Sequence, residues 1–202
     1  STLRAAFDIC NDNFSELYGG TTAALGFKAE GTNFTGSLLV GHSTTGTIDN
    51  AYYNTALGIG ALDALTTADY NVAIGYNTGT AITTGSSNIL IGSNAGDALV
   101  GGASNIAIGS QALSTEDGNG RNIAIGHSAL ENQNAGADAY NIAIGYTAGI
   151  SISTGTHNVL LGGLAGDALT TGSANIAIGY EALSTEDGHS QNVAIGYQAL
   201  KM

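Results

Sequence analysis

Residues 105–109 read Asn-Ile-Ala-Ile-Gly, and this pentapeptide or a close variant returns along most of the chain. Successive copies begin 17 residues apart, except that 19 residues separate Asn122 from Asn141. A short fixed period is typical of a solenoid, in which each unit buries its apolar side only against its neighbours. The units open at Asn54, Asn71, Asn88, Asn105, Asn122, Asn141, Asn158, Asn175 and Asn192, and Ser37 opens a degenerate tenth copy.

Positions within a unit are numbered here from this Asn. Position two is Ile or Val in most copies, position three is Ala or Leu, and position four is Ile, Leu or Val, which predicts a short strand. Side chains two and four share one face of a strand and side chain three takes the other. We therefore expect one face inside the coil and one against a close neighbour. Position five is Gly in all ten copies, which indicates positive φ or a site too crowded for a Cβ atom.

The rest of the unit predicts how one turn is completed. Position eight is Ala in eight of the ten copies, and we interpret it as a second short strand or a corner before a polar loop. The repeated Asn is expected to form a ladder of side-chain amides between turns. Residues 70–132 also align without gaps to residues 140–202, so a four-turn block is duplicated. The two extra residues of the long unit, near residues 134–136, should bulge at the surface.

The first residues are of a different kind. Leu3, Phe7, Cys10, Phe14 and Leu17 are spaced as a heptad seam, which predicts a short amphipathic helix. A lone helix of this length is marginal in water, so we expect a trimeric coiled coil, with packing on its own solenoid as the alternative. The chain is thus divided into a helix at 1–19, a transition at 20–36 and a solenoid at 37–202. Residues 22–26 echo the repeat and are a candidate first turn.

Composition excludes several classes of function. Sixteen acidic residues against four basic ones give a net charge of −12, which disfavours nucleic acid and anionic membrane surfaces as partners. The single Cys10 cannot form a disulfide within one chain. No apolar run of about 18 residues predicts a membrane span, and the start lacks the pattern of a signal peptide. Because the chain does not open with Met, we expect it to be part of a longer protein.

No residue pattern indicates catalysis, a metal site or a cofactor. The four histidines, His42, His127, His157 and His189, have no ligand-like spacing, and we expect exposed turn positions. The acidic residues are expected to lie in solvated loops, with calcium binding as the alternative. The tyrosines at position six are expected to pack between chains or to stack on sugars. The acids are Asp63, Asp97, Glu116, Asp117, Asp167, Glu186 and Asp187, and the tyrosines are Tyr76, Tyr146, Tyr180 and Tyr197.

From residue 37 to residue 202 the repeats resemble the head repeats of trimeric autotransporter adhesins, whose units read like Val-Ala-Ile-Gly followed by small residues and a Gly-bearing loop. The resemblance implies a left-handed parallel β-roll or β-helix of about ten turns, with three chains about one axis. It also implies that small third residues let the three rolls approach closely. The period of 17 is longer than that of the typical adhesin unit. The third residues concerned are Ala73, Ala107, Ala124, Ala143, Ala177 and Ala194.

Residues 3–18 carry a second resemblance, to a segment of tail-fibre and other virion proteins of large tailed phages. That segment has the form Leu-Arg-x-Ala-Phe followed by Asn-x-Asn-Phe-x-Glu-Leu-Tyr, and it is matched at residues 3–7 and 11–18. Together the two resemblances imply a structural segment of a homotrimeric phage fibre, located in the virion. Its partners would be other virion components and a glycan or protein of the host surface. The alternative is the head of a bacterial trimeric autotransporter adhesin at the cell surface.

Overall fold

The computed structural model describes residues 27–31, 34–41, 50–185 and 187–201, with side chains described from residue 37 onward. The predicted helix at 1–19 and the candidate turn at 22–26 lie outside these ranges. Within them, eleven strands form a single sheet in chain order. The strands are β1 Phe27–Gly31, β2 Phe34–Val40, β3 Thr55–Leu57, β4 Val72–Ile74, β5 Ile89–Ile91, β6 Ile106–Ile108, β7 Ile123–Ile125, β8 Ile142–Ile144, β9 Val159–Leu161, β10 Ile176–Ile178 and β11 Val193–Ile195.

Ten of these strands, β2 to β11, stack in parallel and form a solenoid of about nine turns. Equivalent positions pair in every step, as when Ile106, Ala107 and Ile108 face residues 123–125. The register holds across the long unit as well, where Ile123 pairs with Ile142. The extra residues are absorbed at the surface, where Gly136 and its neighbour Ala137 are exposed. The predicted parallel β-solenoid and surface bulge are therefore confirmed.

The first strand departs from this pattern. β1 pairs with β2 in the antiparallel direction, with Phe27 opposite Val40 and Gly31 opposite Phe34. Part of the 20–36 transition is therefore one strand of a hairpin. A hairpin can cover the edge of the first parallel strand, which would otherwise present unpaired backbone groups.

From β3 onward each turn contains one three-residue strand, so of the two alternatives expected at position eight the second strand is wrong and the structure has the corner. The chain bends there instead, because the residues on either side of position eight have left-handed backbones. In the unit that opens at Asn105, these residues are Gln111, with φ of 60°, and Leu113, with φ of 54°. Two residues of this conformation so close together cannot extend as a strand.

The glycine at position five turns the chain out of the strand. Gly126 has φ of 138°, a backbone that is essentially restricted to glycine. A Cβ atom at Gly126 would overlap the carbonyl group of Gly145 in the next turn. Backbone strain and close stacking therefore both require glycine at this corner.

The repeated Asn forms the predicted ladder inside the coil. The Asn88 side-chain oxygen accepts the backbone N–H of Asn105 at 2.9 Å, and this bond recurs from turn to turn. In most turns the side-chain Nδ2 also donates to a carbonyl 14 residues later, as Asn88 does to Gly102 at 2.8 Å. An Asn that makes both bonds closes its own turn and positions the next one. The Asn side chains from Asn54 to Asn175 are fully buried.

The interior is filled by residues whose sizes compensate. In the unit that opens at Asn88, position three is Leu90 and position nine is Gly96, whereas the next unit has Ala107 and Leu113. A Cβ atom on Gly96 would lie 2.9 Å from the Leu90 side chain. A large side chain at one position therefore requires a small one at the other, as close packing demands.

Replacing Gly126 with Ala tests the corner. We expect a loss of at least about 2 kcal/mol in the free energy of unfolding, because Cβ adds strain and overlaps the next turn. Gly118→Ala is the matched control, since nothing lies within 4 Å of a Cβ there. Urea denaturation of both variants measures the difference, and equal loss in the two would contradict the role of the corner.

The compensation of side-chain size between positions three and nine is tested by Leu90→Ala, Gly96→Leu and the double variant. The first should cost about 2–5 kcal/mol through a cavity and the second about 1–3 kcal/mol through overpacking. The double variant reproduces the unit that opens at Asn54, which has Ala56, Leu62 and Leu65 at positions three, nine and twelve, so it should lose at least about 1 kcal/mol less than the sum. Strict additivity in thermal or urea unfolding would show that the two positions do not share a space.

Candidate functional site

The strand face, defined as positions two and four of each unit, is the largest apolar feature on the outside of the rod. Because the Asn at position one points inward, strand alternation turns position three inward and positions two and four outward. Ile89 is 40% exposed, whereas Leu90 beside it is fully buried. Aliphatic side chains therefore run along the outside of the solenoid in two columns.

This arrangement corrects one expectation. The third residues Ala73, Ala107, Ala124, Ala143, Ala177 and Ala194 do not line an approach between rolls, because they are buried inside their own coil. Alanine is used there because the interior is narrow and is filled by leucine, either at position nine of the same unit, as Leu113 with Ala107, or from the neighbouring turns where position nine is Gly79 or Gly149. The surface available to a neighbour is the strand face instead.

Two flanking columns border the strand face. One contains the residue directly before each Asn, here called the pre-Asn column, and the other contains position six. The pre-Asn residues are all exposed from Tyr53 to Gln191, and they have left-handed backbones. The position-six column was recognised from its tyrosines, but the pre-Asn column was not. Its signal in the sequence is that Tyr53, Tyr70 and Tyr140 each directly precede an Asn.

Rings stack along each flanking column from turn to turn. In the pre-Asn column, Tyr53 lies 5.1 Å from Tyr70, and Tyr140 lies 5.2 Å from His157. The guanidinium of Arg121 lies over the other side of the Tyr140 ring, 5.6 Å from its centroid. Stacked rings cover one another's faces and leave mainly their edges outward.

The position-six column shows the same stacking. His127 lies 5.5 Å from Tyr146, and Tyr180 lies 5.7 Å from Tyr197. These tyrosines are exposed, with Tyr146 at 61% and Tyr197 at 72%. Nearly all the exposed large hydrophobic residues of the described chain lie on the strand face or its flanking columns. Val100 and Leu200 are the exceptions.

Charge is segregated away from this surface. From the pre-Asn residue to position six, the units between residues 53 and 197 contain no acidic residue, although the chain has 16. Their one charged side chain, Arg121, forms an ion pair with Asp138. The acids of the solenoid lie at other positions of the turn, among them Asp63, Asp97 and Asp167.

The histidines are placed as exposed residues of the turns. His127 and His157 belong to the flanking columns. His189 is exposed in a loop, and its backbone carbonyl accepts a hydrogen bond from the Asn175 side chain. His42 lies outside the described residues. Across the described ranges, no three His, Cys, Asp or Glu side chains come together in a way that could hold a metal ion.

Three acidic residues are not in the solvated environment expected for them: Glu116 is fully buried, and Asp97 and Asp167 are half-buried, each with one carboxylate oxygen enclosed without a partner. Glu116 was predicted to lie in a solvated loop, but its side chain is fully buried. It occupies position twelve, where the preceding unit has Leu99, so the column of core residues was the signal in the sequence. One carboxylate oxygen accepts hydrogen bonds from the backbone and side chain of Asn119, both at 3.1 Å. The other oxygen has no hydrogen-bond partner.

The interior stays polar in the next turn. Gln133 follows Glu116 at position twelve, and its side-chain amide lies 2.7 Å from Asn141 Nδ2. Asn122 Nδ2 is buried without a partner, in the long unit. Desolvation by burial raises the pKa of Glu116, and Asp117 nearby raises it further. Burial likewise raises the pKa of Asp167.

Of the other acidic residues predicted to lie in solvated loops, Asp117 and Asp187 are exposed, and Glu186 lies outside the described residues.

No protein-family model matches the chain, and neither a curated protein nor a solved structure is significantly similar to it. The described residues include no helix of the length and apolarity needed to cross a membrane. Function is therefore inferred from the surface of the solenoid.

Glu116 predicts a pH dependence of stability. Its pKa is raised in the folded state, so the folded state binds the proton more tightly. Stability is therefore highest below the unfolded pKa and is lost as pH rises through the interval up to the folded pKa. Glu116→Gln should remove this part of the pH dependence. At neutral pH it should raise the free energy of unfolding by about 1–3 kcal/mol, since a buried charge is removed.

Thermal unfolding across pH 4 to 8 measures the effect, with Asp117→Asn as the control because Asp117 is exposed. The control should retain most of the slope in this interval. An unchanged slope in Glu116→Gln would show that the carboxyl group is solvated in solution.

Proposed function

We propose that the chain is a rigid structural segment of a homotrimeric fibre and that it has no catalytic role. The observation that supports this proposal is the apolar strand face, which together with its flanking columns is free of acidic residues and continuous along the solenoid. Single exposed hydrophobic residues are ordinary, but a contiguous apolar stripe on a soluble protein marks an interaction surface. Its length and regular repeat match those of another copy of the same solenoid.

The energies favour association. Positions two and four carry seventeen aliphatic side chains in the nine units from Asn54 onward. Seven of these side chains are exposed and ten are half-buried, so covering the exposed part of one contributes roughly 0.5–1 kcal/mol. The sum over one chain, roughly 8–17 kcal/mol, is of the same size as the cost of association, which is about 4–15 kcal/mol, and each further copy adds its own sum. A chain of net charge −12 meets its copies with least repulsion through the face that has no acids.

A cyclic trimer fits the two-column form of the strand face. In a closed ring each copy contacts two neighbours through different edges of one surface. The columns at positions two and four provide one contact line for each neighbour. The resemblance of the repeats to adhesin heads, which are trimeric, supports the same number of chains.

The setting we favour is a phage tail fibre in the virion, on the resemblance of residues 3–18 to phage structural proteins. The segment would act as a spacer that carries or contributes to contact with a host-surface glycan or protein. The head of a bacterial autotransporter adhesin is the second candidate, favoured by the repeats alone. The full-length sequence separates them, since an adhesin has a C-terminal membrane anchor and a fibre has a virion-docking domain.

Ile89→Asp tests the assembly. Ile89 lies on the strand face, and Val100, in the same unit but outside that face, is exposed to a similar extent at 45%. We expect wild type and Val100→Asp to have three times the chain mass of 20.1 kDa. Ile89→Asp should shift the population at least about tenfold toward monomer, because a carboxylate would be buried between chains.

Sedimentation velocity at several concentrations provides the measurement, and circular dichroism checks that each variant is folded. A folded wild-type monomer would overturn the proposal. Equal dissociation of both Asp variants would show that the strand face is not the contact surface.

A further inference from the structure

The two flanking columns carry the same residue type in four of the nine units from Asn54 onward, although they border opposite edges of the strand. Where the pre-Asn residue is serine, so is position six, as in Ser87 with Ser93 and Ser104 with Ser110. Where one is tyrosine the other is too in two further units. These pairs are Tyr70 with Tyr76 and, at the equivalent positions of the duplicated block, Tyr140 with Tyr146.

Contacts within one chain do not account for this matching. The three strand residues between the two columns already span about 10 Å. The ring contacts in the described chain run along each column, as between Tyr53 and Tyr70 or between Tyr180 and Tyr197. None of these contacts joins the pre-Asn residue to position six of the same unit. The contacts within one chain therefore do not explain why residues on the two edges match.

A cyclic assembly supplies contacts between the two edges. Rotation about an axis parallel to the rod leaves every copy at the same height, so equivalent turns meet. It also brings the pre-Asn edge of one strand face beside the position-six edge of the strand face in the neighbouring copy. The pre-Asn residue of one copy then lies beside position six of the same unit in its neighbour.

We infer that three copies pack in register along this seam, with each pre-Asn residue against the neighbour's position-six residue of the same unit. This inference rests on the proposed homotrimer and adds which edges meet and at what height. Tyrosines face tyrosines in the units of Asn71 and Asn141, and serines face serines in the two units of Asn88 and Asn105.

The five remaining units carry different residues on the two edges, among them Tyr53 with Ile59 and Gln191 with Tyr197. His157 is matched with Gly163, and Ala174 with Tyr180, so a large residue on one side meets a small one on the other. Arg121 is matched with His127, and the charge of Arg121 is already balanced by its ion pair with Asp138. No unit places two like-charged residues or an acid on the seam.

Paired cysteines test the register. In a Cys10→Ser background, Ser87→Cys with Ser93→Cys places thiols on the two edges of one unit, and both serines are exposed. A disulfide needs Cα atoms within about 7 Å, which the strand between these residues prevents inside one chain. The control combines Ser87→Cys with His127→Cys. His127 is in the same position-six column as Ser93 but two turns further along the solenoid, about 9.6 Å away.

Under mild oxidation, the same-unit pair should give covalent dimers and trimers on a non-reducing gel, at least about tenfold faster than the control pair. The mass of each reduced variant is measured alongside. A reduced trimer that does not cross-link, or that cross-links equally in the control, would overturn the seam and leave the homotrimer standing. A reduced monomer in the Cys10→Ser background and in wild type would overturn the proposed function itself.

Discussion

The buried asparagine ladder is the interaction on which the rest of the structure depends. Each Asn side chain accepts the backbone N–H of the next Asn, as Asn158 does from Asn175 at 2.9 Å. Its amide nitrogen reaches across the turn, as from Asn158 to the Gly172 carbonyl at 2.9 Å. These bonds can form only if position one points inward. Position three must then also point inward, and positions two and four must point outward. The apolar strand face is thus a consequence of satisfying polar groups inside a narrow coil.

The same constraint explains where the interior is weakest. The two extra residues in the long unit displace the carbonyl that an Asn amide ordinarily reaches, and Asn122 Nδ2 is left without a partner. In these turns the core column changes from Leu99 to Glu116 and Gln133. An unpaired buried polar group costs free energy, so these turns are stabilised mainly by their neighbours and by the backbone ladder. The duplicated block places Glu186 at the equivalent position, whereas His189 stands where Asn119 binds Glu116 in the first block.

Much of the solenoid could be predicted from the sequence because its signals are local and repeated. The period, the strand at positions two to four, the glycine corner, the Asn ladder and the surface bulge all follow from residue types at fixed spacing. The direction of each side chain could not be predicted from the same pattern. An alanine such as Ala107 fits a narrow interior as well as a close contact between chains, and only the hydrogen bonds of Asn105 decide between them. Similarly, Glu116 lies in a stretch that reads as a polar loop, and only the register of the core column shows that it is buried.

The absence of a second strand had no clear signal in the sequence either, since Gln111 and Leu113 are not residues that favour a left-handed backbone.

Because position three lies inside the coil, the proposed function depends on the strand face being covered by other copies. A density map of the assembled protein, viewed down the rod axis, tests this most directly. We predict three solenoids with Ile106 and Ile108 between chains, and with Asn105 and Ala107 enclosed within each coil. A map with these isoleucines facing solvent would contradict the account.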